Sequence, residues 1–139
     1  MTDAEREALF ADARDVLLAA LPGALAIYVY GSFARGEEWP GSDLDLAVLL
    51  PYGHEAWDKL ALMGQVALRV KREVDLIDLH EASDVLRREV LESGRTLFVA
   101  DADRVLEWEA SAMSRYARYR EEIRDLLEDF HRTGVGYGG

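Results

Sequence analysis

Gly31-Ser32 stands ten residues ahead of Asp43-Leu44-Asp45 in this chain. A glycine at the mouth of a helical turn lets backbone N–H groups approach an anion with no Cβ in the way. Ser32 adds a hydroxyl donor, and Arg35 lies one turn further on. Ser42, next to the first aspartate, joins Gly31, Ser32 and Arg35 as a candidate nucleotide contact. On a strand, alternate residues share one face, so Asp43 and Asp45 point together while Leu44 and Leu46 face a core. Two carboxylates so placed repel unless a cation sits between them. Hard oxygen ligands at this spacing suit Mg²⁺ or Mn²⁺, completed by phosphate oxygens. Either half alone reads most simply as a capped turn or a pair of solvated acids. Together they place an anion site beside a metal site.

A third carboxylate is expected from Val74-Asp75-Leu76-Ile77-Asp78-Leu79. The odd separation of Asp75 and Asp78 puts them on opposite faces of a strand, so one of them can join the site. Asp75 is the choice, because it sits near its strand start as Asp43 and Asp45 sit near theirs; Asp78 is the alternative. Asp43, Asp45 and Asp75 are then the candidate metal ligands and catalytic acids, with Asp75 as general base for an attacking hydroxyl.

Positioning these groups needs strands on both sides of the glycine. Ala24 to Tyr30 is a short apolar run rich in β-formers, and Asp43 to Leu50 begins with strict alternation, so both read as strands. Glu73 to Leu79 is a third strand, and Thr96 to Val99 a short one expected at a sheet edge. Phe10, Ala13, Leu17 and Leu21 recur at helical spacing, which predicts a helix over Asp3 to Ala20, stopped by Pro22-Gly23. A second helix is predicted over His54 to Val70, with Trp57, Leu60, Ala61, Met63 or Gly64, and Leu68 on its apolar face. A third, Ala82 to Leu91, is capped by Ser83 and stopped at Gly94. From Ala102 to about Phe130, Val105, Trp108, Ala112, Tyr116, Tyr119, Ile123, Leu126 and Phe130 trace one seam on a long helix. Helices alternate with strands, so the expected class is α/β (α+β): a small mixed sheet flanked by helices. The expected division is 1–100 for the main domain, 101–132 for the C-terminal helix packed on it or on a partner, and 133–139 for a disordered glycine-rich tail.

The whole chain sets limits on partners. Its 139 residues suffice for one domain with its own core. A net charge of −11 argues against direct nucleic-acid binding, which needs a basic footprint, and favours a basic protein partner. No apolar run has the length of a membrane span, and the acidic start Met1-Thr2-Asp3-Ala4-Glu5 is unlike a signal peptide. The lack of cysteine fits a cytoplasmic setting.

The Gly31-Ser32 and Asp43-Leu44-Asp45 spacing, with the Val74-Asp75-Leu76 strand, resembles the minimal nucleotidyltransferases of the DNA polymerase β superfamily. Gly31-Ser32-Phe33-Ala34-Arg35-Gly36 and the Val74 to Leu79 strand look most like the MntA-type antitoxins. The resemblance covers Ala24 to about Val99. It implies a polymerase-β-type fold, ATP as substrate with Mg²⁺ or Mn²⁺, Asp43, Asp45 and Asp75 as the acidic triad, and Gly31 and Ser32 on phosphate. It further implies a HepT-like HEPN ribonuclease toxin as partner, with transfer of AMP to a tyrosine hydroxyl of that toxin. The rival readings are an aminoglycoside-type enzyme with a small-molecule acceptor, and a non-catalytic antitoxin that neutralises by binding.

Other features read more plainly. His54, His80 and His131 lack metal-ligand spacing and are expected at the surface. Arg69, Lys71 and Arg72 read as a solvated helix end, with a triphosphate contact as the alternative. Trp39 stacks on a base or partner, or tucks into the core. The C-terminal aromatic seam reads first as core packing, then as a partner interface.

Overall fold

The computed structural model describes residues 1–133. In chain order the elements are α1 (Asp3–Ala20), β1 (Ala26–Tyr30), α2 (Gly31–Arg35), β2 (Leu44–Leu49), α3 (Lys59–Val70), β3 (Val74–Asp78), α4 (Asp84–Ser93), β4 (Arg95–Val99) and α5 (Ala102–Thr133). The four strands form one sheet in the order β3-β2-β1-β4. β1 is antiparallel to β2 and β4, whereas β2 and β3 run parallel across the α3 crossover. The sheet is therefore mixed, as expected, with β4 at one edge and β3 at the other. The tail expected from 133 onward lies, after Thr133, outside the described residues.

Strand alternation sorts the core into two layers. Ile27, Val29, Leu44, Leu46, Val48 and Leu76 face α1 and α3 and meet Phe10, Ala13, Leu17, Leu62 and Val66. Ala26, Tyr28, Tyr30, Ala47 and Leu49 face the other way and meet Val90 of α4 and Val105 of α5. The helices start where caps allow. Thr2 accepts from the Glu5 N–H, Asp58 from Ala61 and Ser83 from Leu86.

Two helices depart from expectation. α3 begins at Lys59 rather than His54, and its buried face is Leu62, Val66 and Val70. Leu60 and Leu68, expected in the core, are exposed. The segment is apolar almost all round, so its own period does not choose a face; packing against α1 and the sheet does. In α5 only Val105 and Ala112 are buried, and the seam from Tyr119 to Phe130 is open. Core packing thus holds for the first turns of that helix and fails beyond them, because the sheet ends before the helix does.

Candidate active site

Tyr30, Asp45 and Asp75 meet on the sheet face that α4 covers. The registers pair Tyr30 with Asp45 across β1 and β2, and Asp45 with Asp75 across β2 and β3. Adjacent strands lie about 4.8 Å apart, so the three side chains form a row. Asp43, just before β2, repeats the phase of Asp45. Asp43 and Asp75 are exposed and Asp45 is half-buried, so the row opens to solvent at its acidic end.

Gly31 ties the anion-binding half to the acidic half. Its φ is +70°, and a Cβ there would fall 2.2 Å from Asp45 Oδ2. Only a glycine permits both the left-handed backbone and the close approach. The first turn of α2 has no side-chain cap, which leaves the N–H groups of Gly31 and Ser32 beside the carboxylates.

The acids hold one another in an unfavourable state. Asp45 is pushed up to about 6, first by burial and then by the charges of Asp75, Asp43 and Glu89, with Arg35 opposing. Tyr30 Oη donates to Asp75 Oδ2 at 3.2 Å, and burial followed by the nearby Asp75 charge raises the phenol's pKa. Among the described residues no group of three or more acidic or histidine side chains is placed to hold a metal ion, so Asp43, Asp45 and Asp75 do not converge as a three-carboxylate site. The fit is instead to a hard divalent ion that takes one or two carboxylates and completes its shell with phosphate and water. The repulsion around Asp45 is what such an ion would relieve.

The loop between the two halves is pinned from both sides. Arg6 of α1 donates from Nε to Glu38 Oε1 at 2.7 Å and ion-pairs with it through Nη2. Trp39 N–H donates to Ser42 Oγ, and Arg72 Nη1 donates to the Ser42 carbonyl at 3.0 Å. Ser42 is buried, so the candidate nucleotide contact is placed as a turn-closing residue at the base of the site. Arg72 lies 4.8 Å from the Phe33 ring centroid, a packed guanidinium rather than the solvated helix end that the sequence suggests. Arg35 bonds Glu37 Oε2 at 3.0 Å and stands 3.9 Å from Glu89 Oε1. Ser32 is half-buried and Trp39 is exposed at the rim rather than in the core.

Asp78 is directed elsewhere. Its Oδ1 accepts the His80 N–H at 2.9 Å, a turn at the far end of β3. His80, expected at the surface, is half-buried: its ring lies 2.5 Å from the Leu50 carbonyl and 4.6 Å from the Tyr52 ring. Tyr30 and Glu89 are the site residues that sequence reasoning missed. Tyr30 carried a faint signal, as the residue before Gly31 in phase with Tyr28. Glu89 carried none, since only the packing of α4 brings it to the acids.

A family model described as Polymerase beta, Nucleotidyltransferase matches residues 17–103, which span every strand and the whole acidic row. The chain belongs to the polymerase-β nucleotidyltransferase family. It is 29% identical over 109 residues to the protein adenylyltransferase MntA of Shewanella oneidensis, covering 78% of each chain. A crystal structure of a toxin–antitoxin with AMP-PNP contains a chain 27% identical, with a TM-score of 0.74, over 88% of this chain and 98% of that one. A structure of a tri-AMPylated Shewanella oneidensis HEPN toxin in complex with MNT antitoxin aligns at 26% identity and a TM-score of 0.70. That alignment covers 91% of this chain and 98% of the other. Among the described residues no helix is long and apolar enough to cross a membrane.

Proposed function

We propose that this nucleotidyltransferase moves AMP from ATP to a tyrosine hydroxyl of a HEPN-type toxin and so serves as the antitoxin of a cytoplasmic pair. The observation that carries the reading is the row Asp43, Asp45 and Asp75 set against the Gly31 backbone, in a chain similar to MntA over most of its length. Gly31, Ser32 and Arg35 hold the triphosphate. Asp75 accepts the proton of the acceptor hydroxyl; the freed oxygen forms a bond to the α-phosphorus, and the bond from that phosphorus to the bridging oxygen breaks to release pyrophosphate. Tyr30 holds the Asp75 carboxylate in place through its hydroxyl. Mg²⁺ held by Asp43 and Asp45, with Asp75 in reach, would supply charge neutralisation and in-line orientation.

The test uses ATP labelled at the α-phosphorus, MgCl₂ and the co-expressed toxin. Label is expected on the toxin, and it should vanish with Asp43→Ala or Asp45→Ala. A tight complex that takes no label with Mg²⁺ or Mn²⁺ would sink the transfer reading in favour of neutralisation by binding alone.

A further inference from the structure

Arg35 stands near the acidic row without bonding to it. Its charge opposes the rise of the Asp45 pKa, so the carboxylate feels the guanidinium. Yet among the described residues no hydrogen bond or ion pair joins Arg35 to Asp43, Asp45 or Asp75. Its partners are Glu37, whose Oε2 accepts from Nε at 3.0 Å, and Glu89, whose Oε1 lies 3.9 Å from Nη1. A guanidinium beside three carboxylates is drawn in among them unless other acids hold it back. Glu37 is two residues along the chain and is local to Arg35. Glu89 comes from α4, which is fixed in place. Val90 is buried in the core, and buried Arg87 donates from Nε to the Leu79 carbonyl at 2.6 Å and from Nη2 to the His80 carbonyl at 2.7 Å. Neighbouring Arg88 pairs with Glu92 at 2.7 Å and packs over the Tyr116 ring, which leaves Glu89 to Arg35.

Glu89 is costly where it stands. Its charge is among those that push Asp45 up, and among those that raise the Tyr30 phenol. An acid that adds to the repulsion in the row needs a compensating partner. Among the described residues Arg35 is its one ion-pair partner. A guanidinium carries five N–H donors in a planar fork. Here Nε is taken by Glu37 and Nη1 faces Glu89, while Nη2 makes no bond. Resting on the nucleotide reading above, we propose that Glu89 is a positioning residue for the triphosphate. It draws Arg35 away from the carboxylate row, which keeps Asp43 and Asp45 open to the divalent ion and leaves Nη2 for phosphate oxygens. Without Glu89 the guanidinium falls onto the row and competes with the cation. Glu89 thus acts through Arg35 and touches neither phosphate nor metal. A plain charge effect has the opposite sign, since removing an acid beside an anionic nucleotide favours its binding.

The test is a double-mutant cycle on the full chain with Glu89→Gln, Arg35→Ala and the pair. Binding of Mg²⁺ alone, and of AMP-PNP with Mg²⁺, is measured by calorimetry without toxin. Glutamine is as good a helix former as glutamate at this half-exposed position, so the variant should fold as the parent does. Glu89→Gln should weaken both probes by about three- to ten-fold, as for coupled neighbours in one site. In the Arg35→Ala background the same change should alter either probe by less than about two-fold. With the co-expressed toxin and α-labelled ATP, Glu89→Gln should raise KM for ATP by more than it lowers kcat. Parent-like or tighter binding by Glu89→Gln would overturn the proposal and leave general repulsion as the role of Glu89. An equal loss with and without Arg35 would overturn it in favour of direct contact between Glu89 and the cation. If no protein of the cycle binds AMP-PNP, the proposal and the nucleotide reading fall together. Parent binding of AMP-PNP with no label on the toxin strikes the transfer reading alone, since the cycle is decided without toxin.

Discussion

Asp45→Asn should make the free protein more stable while removing its activity. Asp45 is pushed from 3.8 to about 6, first by burial and then by Asp75, Asp43 and Glu89. About two pKa units correspond to an upper bound of about 3 kcal/mol of penalty on the charged form. The row opens to water at exposed Asp43 and Asp75, so solvent screening reduces the usable figure to about 1–2 kcal/mol. The sign follows from linkage. The folded state holds the Asp45 proton more tightly than the unfolded chain, so this group's contribution is most favourable below about pH 4. It is lost as pH rises toward and past 6. An amide of the same shape never takes the charge. Asn should therefore match the parent near pH 4 and exceed it by about 1–2 kcal/mol at pH 7.5, a rise of about 3–8 °C in melting temperature for a domain of this size. The assay is thermal or urea unfolding of both proteins from pH 4 to 8 at low ionic strength, without and with MgCl₂. Mg²⁺ should stabilise the parent more than the variant and narrow the gap. An Asn variant less stable than the parent at pH 7.5, or a gain that does not change with pH, would refute the claim that Asp45 sits in a strained, cation-seeking row.

Three further outcomes follow from the same geometry. Gly31→Ala places a Cβ 2.2 Å from Asp45 Oδ2 at φ +70° and should cost about 1–3 kcal/mol in unfolding experiments as well as nucleotide binding; an alanine variant with parent-like turnover would show that the approach is not needed. Asp75→Asn should reduce label transfer by about 10²–10⁴-fold, as for loss of a general base, whereas Asp78→Asn should stay within a few-fold; equal losses would mean that strand phase does not select the third acid. Arg72→Ala removes the bond to the Ser42 carbonyl and the contact over Phe33, so about 1–2 kcal/mol of stability should be lost in chemical unfolding, and a purely kinetic defect would instead make Arg72 a phosphate contact.

Much of the site could be read from local pattern. The alternation of Asp43-Leu44-Asp45 determines that both acids leave the core on one side, because side chains on a strand have a period of two whatever the strand packs against. Gly31 after an apolar run marks a strand-to-helix turn for a similarly local reason: few other residues adopt its φ. Asp75 is preferred to Asp78 for its place near the strand start, and the parallel register sets it beside Asp45. Ser83 and Gly94 bounded α4 through capping chemistry that acts within a single turn.

What only the tertiary structure decided involves partners distant in the chain. Glu89 reaches the acidic row because α4 lies across the sheet, and Tyr30 reaches Asp75 across two intervening strand pairings. Arg72 leaves solvent for Phe33 and Ser42, residues 39 and 30 positions earlier. α3 shows the limit most plainly, since a helix apolar almost all round takes its buried face from its neighbours. The seam of α5 is as regular in sequence beyond Ala112 as before it, yet only the first turns find a sheet to cover. Periodicity states that an apolar face exists; it carries no information on whether the fold extends far enough to bury it.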